Sequence, residues 1–67
     1  MELSNVFEIG RKYLIQTWNA YYSLAEVVRK TERAVVVTFY GEGKDRKPVK
    51  KTDTIFYSTI EKCRGIN

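Results

Sequence analysis

Three observations place this 67-residue chain in the all-β class. The run 33–40, RAVVVTFY, packs β-branched and aromatic residues without a break and stops at Gly41 and Gly43. Similar runs at 11–18, 25–30 and 54–60 are separated by turn-forming or polar residues. Pro48 sits in a lysine-rich stretch, 48–52; it has no N–H to give a sheet ladder and therefore belongs on an edge strand or in a loop.

The first strand, 11–18, is entered after Gly10 and left through Asn19. A helix competes for this region, because Leu14, Trp18, Tyr21, Ala25 and Val28 fall on the stripe of an amphipathic helix. That alternative is an α+β fold with a helix near 12–30 and a C-terminal β-hairpin. The density of β-branched and aromatic residues, Asn19, and Gly10 as a weak N-cap all favour strands.

Strands 25–30 and 33–40 form a hairpin across Thr31-Glu32. The turn has no glycine, which argues against a two-residue type I′ turn and for an odd loop. That parity sets Ala25 and Val27 on one face with Val35, Val37 and Phe39, and turns Glu26 and Lys30 outward. Residues 41–51 follow as a basic loop running into an edge strand, and 54–60 supplies the fifth strand.

A chain this short forms one domain with one small core. Five short strands cannot build two flat sheets, so the economical architecture is a bent meander curled into a small SH3-like or OB-like barrel. Tyr, Trp and Val residues would fill it, with Trp18 among them. Neighbours on a strand face opposite sides, so one of Tyr21 and Tyr22 is exposed. By the same rule, Phe39 and Phe56 inside would put Tyr40 and Tyr57 outside.

The composition limits the chemistry. There is no histidine, and Cys63 is the single cysteine, which excludes an intramolecular disulfide and a multi-cysteine zinc site and removes the usual neutral-pH base. The expectation is a protein that is not an enzyme and holds no cofactor or metal. Gly41-x-Gly43-Lys44 lacks the spacing and the following helix of a phosphate-binding loop. Asp45, Asp53 and Glu42 lie close to lysines and are read as surface ion-pair partners. The uncharged stretch 13–25 is too short to span a bilayer, and the first residues lack a signal-peptide layout, so the chain reads as cytoplasmic.

Charge is concentrated. The formal net charge is +4, and 44–51, with five basic residues and Asp45, carries that whole excess. Cations this close reinforce one another within a Debye length of about 8 Å. The first functional expectation is a non-catalytic module that contacts nucleic-acid backbone through Lys44, Arg46, Lys47, Lys50 and Lys51, with Tyr40 and Tyr57 alongside as ring faces. Edge lysines that only keep a strand soluble and unpaired would look the same. The alternative is a protein-interaction module, an inhibitor or adaptor encoded by a mobile element, that meets an acidic surface on a host protein. A homodimer formed by edge pairing along 35–39 or 55–60 is compatible with either.

The opening Phe7-Glu8-Ile9-Gly10-Arg11-Lys12-Tyr13, followed by the hairpin from Val27 to Val37, resembles small uncharacterised basic β proteins carried by phages and plasmids. The resemblance covers residues 7–51 and rests on a Gly-basic-aromatic strand followed by a Val- and Thr-marked hairpin. It implies a mobile-element origin and carries over no site residue. The segment from Ile55 to Gly65 departs from the pattern.

Overall fold

The computed structural model describes residues 6–43, 45 and 47–66, without the side chain of Glu42. The fold is all-β: β1 (Lys12–Thr17), β2 (Tyr21–Lys30), β3 (Ala34–Glu42), β4 (Pro48–Phe56) and β5 (Ile60–Ile66), with a 3-10 turn (Tyr57–Thr59) before β5. The strands form one antiparallel sheet in the order β4-β3-β2-β1-β5. No α-helix occurs among the described residues, and none of their helices is long and apolar enough to cross a membrane.

The connection between β4 and β5 requires the sheet to curl. These strands are its two edges, which a flat sheet would hold about 19 Å apart. Only three residues join them, and a 3-10 connection rises about 2 Å per residue. No ladder joins β4 to β5, so the sheet is bent like a barrel without being hydrogen-bonded shut.

Bulges provide the bending. In β2 the register slips within residues 23–24 against β1 and at Val28 against β3; in β5 it slips at Glu61 against β1. Each inserts one extra residue, which bends the strand and increases its twist.

The inner face carries Tyr13, Ile15, Ala25, Val27, Val35, Val37 and Ile55, all buried, with Tyr22, Phe39, Ile60 and Cys63 packed against them. Burial pushes the Cys63 thiol up. Phe7, from the segment before β1, closes one end of this core. Its ring meets Tyr13 edge-on at 4.9 Å and stacks on Tyr57 at 6.1 Å. The Tyr13 hydroxyl accepts from the Glu8 N–H at 2.7 Å and donates to the Val6 carbonyl at 3.1 Å. Gly10, at φ +89°, allows the turn that leads from this plug into β1.

Several expectations need correction. Trp18 is not core: it is 69% exposed on the β1–β2 turn, where the Thr17 N–H donates to the Ala20 carbonyl at 2.9 Å. The runs 48–52 and 54–60 are not two strands, because β4 continues to Phe56, and the fifth strand is 60–66. Phe56 is exposed opposite Ala34, while Tyr57 packs inward. Residues 35–38 of β3 are paired with both β2 and β4, so this run offers no free edge for a dimer.

The hairpin reaches the expected faces by another route. Thr31 N–H donates to the Ala34 carbonyl at 2.8 Å, and the Thr31 hydroxyl accepts the Ala34 N–H at 3.0 Å, leaving Glu32-Arg33 at the tip. Neither tip residue has positive φ, so the turn is not type I′. The odd residue is Val28, inside β2, and it restores the pairing of Val27 with Val37. It also turns Lys30 to the face of Val35, where Lys30 stays exposed.

Candidate nucleic-acid interface

The basic segment forms one arm of the β3–β4 hairpin. Nine registered pairs run from Ala34↔Phe56 to Glu42↔Pro48, and the Gly43 N–H donates to the Lys47 carbonyl at 3.0 Å near the tip. Gly43 is required there: a Cβ at this position would overlap the Val49 side chain. Gly41 leaves room for the stem of Lys51, whose Cδ and Cε would lie 3.2 Å from a Cβ on Gly41.

Register decides which way each cation points. Directly paired residues share a face, so Tyr40 and Lys50 stand together on the outer side of the sheet. Tyr40 is 71% exposed and Lys50 is exposed. Lys51 pairs with Phe39 and points to the opposite side, and Lys47 is exposed at the tip. The hairpin is thus cationic on both faces, with an aromatic ring beside the cation on one. Lys44 and Arg46 lie outside the described residues.

Tyr57 is not brought to this group. Its ring is held on Phe7, its hydroxyl donates to the Thr31 carbonyl at 3.1 Å, and burial pushes its pKa up. Thr31 adjoins the start of β3, whereas Tyr40 lies six residues along it, about 20 Å away.

Beneath the hairpin, Tyr22 anchors the inner side. Its ring meets Phe39 edge-on at 5.0 Å, and its hydroxyl donates to the Asp53 carboxylate at 2.7 Å. Burial first, then the hydrogen bond and charge of Asp53, push the Tyr22 hydroxyl up to about 12. Tyr21 is therefore the exposed member of the Tyr21-Tyr22 pair, at 64%.

Two depressions adjoin these residues. The β2–β3 ladder stops at Glu26↔Thr38, and past that point a cleft of about 230 Å³ opens between Tyr21–Leu24 on β2 and Phe39–Gly41 on β3. A wider groove of about 600 Å³ crosses β1 and β5, lined by Leu14, Gln16, Tyr21, Lys62 and Arg64 among others. Sequence reasoning passed over Lys62 and Arg64 because acids elsewhere cancel them in the net charge. Their place on one face follows from the pairing of β5 with β1, which the spacing of residues along β5 does not announce.

No group of His, Cys, Asp and Glu among the described residues is arranged to hold a metal ion. Compared with protein-family models, with curated proteins and with solved structures, the chain gives no significant match, and its function is read from its own surface.

Proposed function

We propose that this protein is a non-catalytic binding module that contacts the backbone of nucleic acid through the β3–β4 hairpin. The observation that carries this reading is the cross-strand pair Tyr40↔Lys50, an exposed ring beside an exposed ammonium on one face. Lys47 and Lys51 add charge at the tip and on the other side. Ammonium groups release the counterions condensed on phosphates, and a neighbouring ring accepts any base on its π-face. The hairpin arm, rather than the core, carries the function, so its side chains can be changed without disturbing the fold.

Replacing Lys47, Lys50 and Lys51 together by Glu tests the reading. Binding of a labelled oligonucleotide should be lost while the circular dichroism spectrum and melting temperature stay close to wild type. Unchanged binding would overturn it.

A second reading has its own observation. β4 has a free edge, and exposed Trp18 and Phe56 flank a depression of about 250 Å³ between that edge and the β1–β2 turn. Such an edge accepts an added strand from a protein partner. This surface lies apart from Tyr40 and Lys50, so Trp18→Ala would impair protein docking and leave oligonucleotide binding intact.

A further inference from the structure

We infer that the ligand is single-stranded and runs across the outer face of the sheet, from Lys62 and Arg64 on β5, over Tyr21, to Tyr40 and Lys50 on the hairpin. This inference rests on the nucleic-acid reading and specifies the ligand and its path.

Tyr21 is the hinge of the argument, because it lines both the cleft beside β3 and the groove over β1 and β5. The two depressions therefore meet at Tyr21. Register places the members of the path on one face: Lys62 pairs with Gln16, Gln16 pairs with Tyr21, and Arg64 pairs with Leu14. Those positions are out of phase with the buried Tyr13 and Ile15, just as Tyr40 and Lys50 are out of phase with Val35 and Val37.

The composition of the path fits an unpaired strand better than a duplex. Its middle is formed by Tyr21 and Leu24, 64% and 53% exposed, and its two ends by cations. A duplex turns its bases inward and presents phosphates, leaving nothing for the exposed ring of Tyr21 in the middle to stack on. A single strand offers bases to the rings and phosphates to both ends. Lys62 and Arg64 are two residues apart on one face, about 6.7 Å along the strand, so they can meet separate phosphates. Five strands at ordinary spacing give a path of about 19 Å, room for only a few nucleotides. Glu61 stands on the rim of the wider groove and limits the affinity gained at that end.

Fluorescence anisotropy on the whole chain tests this, with labelled oligo-dT, oligo-rU and a duplex of equal length as probes. Wild type should bind at least one single strand more tightly than the duplex. Tyr21→Ala should weaken single-strand binding by about 5- to 150-fold, the range expected for one lost stacking platform, and leave duplex binding unchanged. Lys62→Gln with Arg64→Gln should make the single-strand salt slope shallower by about 1.4. All three side chains are exposed, so these variants should keep their melting temperatures. Equal affinity for single strand and duplex, or a loss confined to hairpin variants, overturns the path and leaves the hairpin reading standing. No binding of any probe at low salt overturns both.

Discussion

The Tyr22 hydroxyl donates to the Asp53 carboxylate at 2.7 Å, joining β2 to β4 across the intervening β3. With the Tyr22 ring against Phe39, this bond fixes how the hairpin arm leaves the core. Tyr22→Phe keeps the ring and removes the bond. It should cost about 1 kcal/mol, read as a lower midpoint in urea.

The same bond gives a pH dependence. Burial and Asp53 raise the folded-state pKa of Tyr22 from 10.0 to about 12, favouring the neutral phenol. Its contribution is fully present below pH 10 and is lost as pH rises toward 12, because the unfolded chain releases the proton first. Wild type should therefore lose more stability than Tyr22→Phe across that window. Parallel losses would contradict the assignment.

Core and surface should respond oppositely to new charge. Val37 is fully buried, so Val37→Asp places an unpaired carboxylate among apolar side chains. A domain this size has only about 3 to 10 kcal/mol of stability, and the variant should not fold. Lys50→Glu, on the exposed arm, should melt within a few degrees of wild type.

The end plug and the β1–β2 turn separate in the same way. Phe7→Ala should cost about 3 kcal/mol, since it empties the space between Tyr13 and Tyr57. Trp18→Ala should be close to neutral despite the larger deletion, because Trp18 stands in solvent on a turn. Comparable destabilisation by both would put the indole back in the core.

These residues also mark how far the sequence could be read. Period-two alternation identified β3, its partner strand and four core residues, because Ala25 and Val27 keep phase within β2, as Val35 and Val37 do within β3. Alternation fails at bulges. In β5 the half-buried positions are 60, 63 and 66, a spacing of three that matches neither strand nor helix, and the extra residue at Glu61 accounts for the shift from 60 to 63. The 3-10 turn at Tyr57–Thr59 has no glycine or proline to announce it, so alternation alone divides β4 from β5 in the wrong place and puts Phe56 inside and Tyr57 outside, the reverse of the structure. At the site, Tyr40 and Lys50 were both visible as residue types, but their pairing on one face depends on hairpin register, which ten residues of separation leave open.

The slope of log affinity against log salt for a short oligonucleotide tests the central claim most directly. Three ammonium contacts from Lys47, Lys50 and Lys51 should give about −2 on single strands, steepening if Lys62 and Arg64 also engage. The Glu variants of the three hairpin lysines should remove that contribution and leave no more than the share of about −1.4 that belongs to Lys62 and Arg64. Binding that ignores salt, or no binding to DNA or RNA at low salt, would contradict the claim and turn attention to the β4 edge as a protein-docking surface.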